Sequence, residues 1–183
     1  MTSTNLQDKT AIVTGGAQGL GQAISQRLVR EGCWVLIADV NEAGVNATAA
    51  ALAEEAGQRV LGMKVDVTQE ADVKALFDRA VQEFGRVDIV VANAAILIAE
   101  PITDADAEKW RAVMNVNLFG YFLVTKYACR AMKAQACGSI ININSKSGKK
   151  GSAANSAYAA SKFGSVGHTQ SVALEMAPFN VRC

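Results

Sequence analysis

The stretch Thr10-Ala-Ile-Val-Thr-Gly-Gly-Ala-Gln-Gly-Leu-Gly21 decides the fold. Its first five residues are apolar or β-branched and stop abruptly at a run of glycines, which predicts a buried strand followed by a turn. From Leu20 to Arg30 apolar residues recur at helical spacing, and Glu31-Gly32 closes the segment as a helix C-terminus would. The apolar positions are Leu20, Ala23, Ile24 and Leu28.

A glycine turn between a strand and a helix suits a phosphate-bearing ligand. Glycines let the backbone approach a pyrophosphate, and the free N–H groups of the helix N-terminus attract its charge. The spacing G-x-x-x-G-x-G differs from G-x-G-x-x-G, and glycine turns also serve plain connections, so both interpretations stay open. The candidate cofactor-binding residues here are Gly15, Gln18, Gly19, Leu20 and Gly21.

Asp39 follows a second buried strand, Trp34 to Ala38, about 20 residues beyond the glycine turn. In a dinucleotide-binding fold an acid at this place hydrogen-bonds the adenosine ribose and repels a 2′-phosphate. No arginine follows within the next several residues to accept that phosphate, so NAD is favoured over NADP. The alternative is that Asp39 caps the helix that follows it.

Strands and helices continue to alternate through the first half of the chain. The pattern predicts a helix from Asn41 to Ala56 that ends at Gly57, a strand from Arg59 to Asp66, a helix from Glu70 to Phe84 and a strand from Val87 to Ala92. Apolar strands with helices between them indicate a parallel sheet covered on both faces. The predicted fold class is α/β, a Rossmann-like doubly wound parallel sheet in three layers.

Further candidates stand at the ends of the third and fourth strands. Asp66 and Val67 follow the third strand, where the carboxylate could lie beside an adenine amino group, although Asp66 also fits the N-cap of the next helix. Asn93 and Ala94 follow the fourth strand. Ligands of parallel sheets bind beyond the carboxyl ends of the strands, so these residues should join Asp39 at one site.

A long helical region is predicted from Asp106 to about Ala136, with an apolar stripe that includes Tyr121. Asn117 lies within its apolar part, and a buried amide left without partners costs about 1–3 kcal/mol. It is either a core asparagine satisfied by the backbone or part of a proton relay through a water or a backbone carbonyl.

The second half of the chain also contains candidate catalytic residues. A fifth strand, Ser139 to Asn144, ends at Ser145, and a helix from Asn155 to Met176 carries Tyr158 and Lys162. Four residues of separation put these two side chains on one helix face. A free phenol has a pKa of about 10, and a neighbouring cation lowers it. With the Ser145 hydroxyl, the pair predicts a proton-transfer site.

Two other features are ambiguous. The loop after Ser145 carries Lys146, Lys149 and Lys150, which would suit an anionic substrate, but solvated loops are commonly charged and we prefer that interpretation. His168, the single histidine, is interpreted as a structural or surface residue.

Composition limits the class of protein. With 183 residues and 50% apolar composition the chain fits one domain, and its net charge of +1 gives no basic surface for nucleic acid or an anionic membrane. Met1 to Lys9 shows no targeting pattern, and no apolar run is long enough to cross a membrane, so we expect a soluble cytoplasmic protein. No metal-ligand spacing is present, so reduced thiols and no metal are expected for Cys33, Cys129, Cys137 and Cys183.

In the order and spacing of these motifs the chain resembles the short-chain dehydrogenase/reductase family over essentially its whole length. The resemblance implies that Tyr158 is the general acid/base and Ser145 orients the substrate oxygen. It also implies that Lys162 binds the nicotinamide ribose and lowers the pKa of Tyr158, while Asn117 supports a water-linked proton path. The matching motifs are Thr14 to Gly21, Asp39, Asp66, Asn93 to Ala95, Asn117, Ser145 and Tyr158-x-x-x-Lys162.

Within the family, Ile143 to Ser152 and Asn117 to Leu123 resemble sorbitol-6-phosphate 2-dehydrogenases. We therefore predict an NAD-dependent oxidoreductase that interconverts a polyol or sugar alcohol, phosphorylated or not, with its ketone. The alternatives are an NADPH-dependent 3-oxoacyl-thioester reductase, which fits Asp39 poorly, and a catalytically silent nucleotide- or subunit-binding module. The resemblance also implies a homo-oligomer, either a dimer or a tetramer.

Two features depart from the family pattern. Asn93-Ala94-Ala95 replaces the usual Asn-Ala-Gly and puts a methyl group where the backbone passes close to the cofactor, so some loss of affinity is expected. The chain also stops at Cys183, where the family's sixth strand begins. We therefore expect residues 1–183 to form a single dinucleotide-binding and catalytic domain without the C-terminal part that covers the substrate.

Overall fold

The computed structural model describes residues 6–56 and 59–183 and contains a parallel sheet of six strands. The strands pair in the order β3-β2-β1-β4-β5-β6, all parallel. The predicted Rossmann-like α/β fold is confirmed. The strands are β1 (Thr10–Thr14), β2 (Trp34–Asp39), β3 (Val60–Lys64), β4 (Ile89–Ala92), β5 (Gly138–Asn142) and β6 (Val181–Arg182).

Among the described residues, six α-helices connect and flank the strands. Predicted and observed bounds coincide for α3 and differ by a few residues elsewhere, and Gly57 lies outside the described residues. Within the described part of the chain, every helix is too short or too polar to span a membrane. The helices are α1 (Gly19–Arg30), α2 (Glu42–Ala56), α3 (Glu70–Phe84), α4 (Ala107–Met114), α5 (Gly120–Gln135) and α6 (Ser156–Met176).

Alternate residues of the strands face two separate cores, which gives the three predicted layers. On one face, Ile12 and Leu36 pack in the core that holds Leu76 of α3 and Leu123 of α5. On the other face, strand residues pack in the core of α1 and α2, where Val45 is fully buried. Each such aliphatic side chain, when fully buried, contributes about 1.5–3 kcal/mol to the free energy of folding.

Helix α1 packs Ile24 and Leu28 against the core only in part, and its most buried residues lie beside them. Its buried residues are Gly21, Ser25 and Val29, whereas Leu20 is 57% exposed. The helix lies very close to the glycine turn, because a Cβ on Gly21 would meet the Gly15 carbonyl oxygen at 2.1 Å. A residue larger than glycine therefore does not fit at position 21 without a shift of the turn.

The predicted helix from Asp106 to Ala136 is interrupted by a π turn, Asn115–Phe119, between α4 and α5. Within this turn the Gly120 N–H donates to the Asn115 carbonyl, five residues back instead of four. Asn117 lies in the widened turn and is fully buried. Such turns are rare and are frequently found at functional sites. Because they are rare, the sequence predicted a continuous helix.

All four cysteines are free thiols. Burial is the main reason why the pKa values of Cys33 and Cys129 are raised to about 11. A thiol with so high a pKa stays protonated near neutral pH and is a poor nucleophile. We therefore interpret Cys33 and Cys129 as residues that pack in the interior.

Candidate active site

A cleft of about 720 Å³ lies beyond the carboxyl ends of β1 to β4. It lies where the strand order reverses between β1 and β4, the usual ligand position in such sheets. Leu20 and Gly21 are absent from its lining as far as the chain is described. The cleft does bring together eight of the predicted cofactor residues, Gly15, Gln18, Gly19, Asp39, Asp66, Val67, Asn93 and Ala94. Tyr158 and Lys162, which were also predicted to bind the cofactor, are not among the lining residues in the described parts of the chain.

The glycine turn leaves space for a ligand at the start of α1. Gly15 and Gly19 both have positive φ, +66° and +58°, which favours glycine. A Cβ on Gly19 would meet nothing within 4 Å. Among the described residues no side chain caps this helix, so its first N–H groups remain available for an anion. These features fit a pyrophosphate group.

Asp39 holds its carboxylate at the rim of the cleft. One oxygen accepts from the Ala17 N–H at 3.0 Å and the other from the Asn41 N–H at 2.9 Å. The cap of α2 is Asn41, whose side chain accepts from the Gly44 N–H at 3.0 Å, so the capping alternative for Asp39 is wrong. Each Asp39 oxygen keeps a lone pair that could accept from a ligand hydroxyl.

The cleft is acidic. No lysine or arginine lies among its lining residues in the described parts of the chain, whereas Asp39 and Asp66 both do. Lys64 pairs with Asp39 in the register of β2 and β3, but its ammonium lies 3.6 Å from the Glu42 carboxylate. This charge pattern fits two free ribose hydroxyls better than a 2′-phosphate.

Asp66 forms a tight local turn after β3. Its Oδ1 accepts from both the N–H and the hydroxyl of Thr68, at 2.9 and 2.7 Å. The N-cap of α3 is Gln69, so the capping alternative for Asp66 is wrong as well. Val67 is buried beside Gly120, where an added Cβ would lie 2.9 Å from its methyl group. This turn therefore joins the cleft to the start of α5.

Asn93 locks the end of β4 to the glycine turn. Its side-chain amide donates to the carbonyls of Thr14 and Gly15 at 3.1 and 3.0 Å. The backbone N–H groups of Asn93 and Ala94 both donate to the Thr14 hydroxyl. Ala95, where the family usually has glycine, lines the cleft and is exposed. The polar side chains of Asn93 and Thr14 hold the backbone of the strand end in place, and Ala95 faces the space for the ligand.

Asn117 joins the segment after β4 to α6. Its side-chain oxygen accepts from the Ile96 N–H, and its amide donates to the Ile96 carbonyl, both at 2.8 Å. The amide also lies 3.2 Å from the Ser161 hydroxyl. Asn117 is thus satisfied mainly by backbone, and one of its partners is a backbone carbonyl, as a relay would require. The water-linked path itself remains a prediction.

Lys162 and Tyr158 lie side by side on α6. The Lys162 side chain is buried, with the residue only 1% exposed, and its Nζ is 5.6 Å from the centre of the Tyr158 ring. Nζ donates to the Ile143 carbonyl at 2.7 Å and to the Tyr121 hydroxyl at 2.9 Å. Burial lowers the pKa of Lys162 to about 8, so the amine is still mostly an ammonium at pH 7.

Ser145 follows β5 in an extended conformation. Its hydroxyl accepts from the Ser147 N–H at 3.2 Å, and its own N–H donates to the Asn144 side chain at 2.7 Å. Asn144 in turn donates to the Lys162 carbonyl and the Ser165 hydroxyl of α6, at 3.1 and 3.0 Å. The serine loop is therefore tied to the helix that carries the other candidate catalytic residues.

Sequence reasoning missed Tyr121 and Asn144. Tyr121 appeared only as one member of an apolar stripe, although its position one helical turn after Asn117 placed it on the same face. Nothing in the sequence marked Asn144, because its role depends on the contact between the serine loop and α6.

The ambiguous residues lie outside the cleft. The three lysines of the serine loop are exposed, as expected for a solvated loop. His168 is half-buried, its ring meets that of Phe122 edge-on, and burial lowers its pKa. It lines a groove formed by α4, α5 and α6.

The sheet and the position of its cleft define the class of protein, a Rossmann-like α/β domain. A family model described as short chain dehydrogenase matches residues 9–183. The chain belongs to the short-chain dehydrogenase/reductase family, and it is an oxidoreductase that acts on CH–OH groups with NAD or NADP.

Relatives with known activities agree with this assignment. The chain is 41% identical over 176 residues to cis-4-hydroxycyclohexanecarboxylate dehydrogenase of Sinomonas cyclohexanicum, covering 96% of this chain and 70% of the relative. It superposes on sorbitol-6-phosphate 2-dehydrogenase SrlD from Erwinia amylovora with a TM-score of 0.90 and 42% identity, over 93% and 68% of the two chains. An NAD⁺-bound xylitol dehydrogenase gives a TM-score of 0.94 with 31% identity, over 98% and 69%.

Proposed function

We propose that this protein is an NAD-dependent dehydrogenase that interconverts a polyol or sugar alcohol with its ketone, with Tyr158 as general acid/base. The observation that carries the proposal is the buried Lys162 ammonium beside the Tyr158 ring on one face of α6. A fixed cation stabilises a phenolate, which is the form that can accept a proton. Relatives named for sorbitol 6-phosphate and xylitol support the substrate class.

Each residue of the site has a separate role in the proposed reaction. When bound along the cleft, NAD supplies the hydride acceptor. Tyr158 takes the proton of the substrate hydroxyl, and Ser145 donates to the same oxygen and holds it in place. Lys162 keeps positive charge beside the phenolate, and we propose that it also contacts the nicotinamide ribose. Asn117 supports the proton path through its contact with the Ile96 carbonyl.

The substrate class is tested by following absorbance at 340 nm with NAD and a set of alcohols. The set comprises sorbitol, xylitol, sorbitol 6-phosphate and cis-4-hydroxycyclohexanecarboxylate. We expect a polyol to give the highest kcat/KM, and a preference for the phosphate ester would assign the exposed lysines of the serine loop to its recognition. Turnover of a 3-oxoacyl thioester with NADPH, or no turnover of any alcohol, would contradict the proposal.

Asp39→Ala should relax cofactor preference. Without this carboxylate two ribose hydroxyls lose an acceptor and a 2′-phosphate no longer meets a negative charge, so the NAD to NADP ratio of kcat/KM should fall at least about tenfold. Asp104→Ala removes an exposed carboxylate outside the cleft and should leave the ratio unchanged. An unaltered ratio in Asp39→Ala, with the variant folded by circular dichroism, would remove Asp39 from cofactor selection.

We also propose that the protein is a homo-oligomer. A groove of about 840 Å³ between α4, α5 and α6 is lined mainly by apolar residues, together with Glu108, Arg111, Asn115 and His168, and Phe119 and Phe122 are each 43% exposed. Exposed apolar patches of this kind commonly mark protein interfaces. Phe122→Asp should lower the mass measured by sedimentation, whereas Ile102→Asp, at an exposed apolar residue outside the groove, should not. A wild-type monomer at micromolar concentration would refute the proposal.

A further inference from the structure

We propose that Tyr121 is a positioning residue for Lys162, because its phenolic oxygen accepts a hydrogen bond from the buried ammonium and holds that ammonium beside Tyr158. The inference rests on the proposed function, in which Lys162 supports a Tyr158 phenolate. It adds a fifth side chain to the predicted catalytic group of Asn117, Ser145, Tyr158 and Lys162, supplied by α5.

Three groups form a closed hydrogen-bonded ring at this point. Lys162 Nζ donates to the Tyr121 oxygen at 2.9 Å and to the Ile143 carbonyl at 2.7 Å. The Tyr121 hydroxyl donates to the same Ile143 carbonyl. Tyr121 is only 1% exposed, so its hydroxyl cannot exchange these partners for bulk water. The ring fixes the amine between the end of β5 and the Tyr158 ring.

The amine depends on these neutral acceptors for its charge. In the described structure no carboxylate forms an ion pair with Lys162, and the titratable groups that face its amine are the phenols of Tyr121 from α5 and Tyr158 from α6. A buried cation without a counter-ion is costly, and acceptors reduce that cost. Burial lowers the pKa of Lys162 to about 8, close enough to neutrality for the loss of one acceptor to matter.

The two phenols have different roles for a physical reason. Burial, with a contribution from the nearby Tyr158, raises the pKa of Tyr121 far above its ordinary value. Tyr121 therefore stays protonated throughout the working pH range, so it can donate to Ile143 and accept from Lys162 at once. Tyr158 is partly exposed and is left to exchange the proton with substrate.

Tyr121→Phe should lower the pKa of Lys162 by about one unit. The reason is that the free energy of one hydrogen bond to a charged group corresponds to a pKa shift of about that size. The sign follows from charge: removing an acceptor disfavours the ammonium, so the proton is lost at lower pH. Less positive charge then faces Tyr158 near pH 7 to 8. The acidic limb of the pH profile of kcat/KM for alcohol oxidation should therefore move to higher pH, with a rate loss of about tenfold below that limb.

The test compares Tyr121→Phe with Tyr127→Phe. Both changes remove a phenol hydroxyl from α5, but Tyr127 bonds the exposed Glu70. NMR titration of side-chain-labelled lysine measures the Lys162 pKa without substrate, so it separates failure of this inference from failure of the proposed function. We expect a shift only in Tyr121→Phe. An unchanged Lys162 titration and pH profile in that variant would overturn the inference.

A smaller chemical change at Tyr121 provides a second test in case Tyr121→Phe does not fold. Replacing Tyr121 alone with 3-fluorotyrosine keeps the ring and the hydroxyl but makes the oxygen a weaker acceptor. The Lys162 titration should move in the same direction by a smaller amount. An equal or higher Lys162 pKa in the fluorinated protein would also overturn the inference.

Discussion

Tyr158→Phe should reduce alcohol oxidation by about 10³-fold, while NAD affinity stays within about twofold of the wild type. The substitution removes the one group proposed to exchange a proton with substrate, and it retains the ring that packs beside Lys162. Initial rates at 340 nm and calorimetric titration with NAD measure the two quantities separately. The loss should appear mainly in kcat, since the hydroxyl acts in the transition state.

Tyr127→Phe is the matched control for this change. It removes a phenol hydroxyl that bonds Glu70 on the surface of α5, away from the cleft, and it should leave both rate and affinity unchanged. If Tyr158→Phe keeps more than about a tenth of the wild-type rate, another group must take the proton, and the proposed role of Tyr158 is wrong.

Gly21→Ala should displace the backbone of the glycine turn that lines the cleft. An added Cβ would lie 2.1 Å from the Gly15 carbonyl oxygen and 2.6 Å from the Asn93 amide, which are themselves hydrogen-bonded at 3.0 Å. The turn must shift to relieve the overlap, so we expect a loss of about 1–3 kcal/mol of unfolding free energy. NAD affinity should also fall at least about tenfold, because the backbone that faces the pyrophosphate is displaced.

Urea denaturation and calorimetric titration measure these two losses. Gly151→Ala adds the same methyl group at a glycine whose φ is not positive and whose new Cβ meets nothing within 4 Å, so it should alter neither quantity. Wild-type stability and affinity in Gly21→Ala would show that α1 can move away from the turn without consequence, contrary to the packing described here.

The main features of the fold followed from local pattern. The apolar strands and the helices between them predicted the parallel sheet. The C-terminal end of α3 was predictable because glycine, here Gly85, readily adopts the left-handed conformation that ends a helix. The apolar spacing predicted α1 as a helix, but it did not show that Gly21 and Ser25 lie at the centre of the buried face, because that follows from the close contact with the glycine turn. The π turn at Asn117 was also missed, since no local propensity distinguishes it from a regular helix.

The candidate site was predictable to a similar degree. Asp39, Asp66 and Asn93 were placed at one edge of the sheet because parallel strands end there together, and they do line one cleft. Whether the two carboxylates capped helices could not be decided from spacing. The hydrogen bond from Gly44 to Asn41 excluded that role for Asp39, and the position of Gln69 as N-cap excluded it for Asp66.

By itself the sequence determined the α/β class, the glycine turn, the acid after β2 and the pairing of Tyr158 with Lys162, because each depends on residues near one another along the chain. Only the tertiary structure decided which groups surround the Lys162 amine. Tyr121 and Ile143 come from α5 and from the segment after β5, and they meet the amine where these elements pack against α6. No periodicity within one segment encodes such a contact between distant segments.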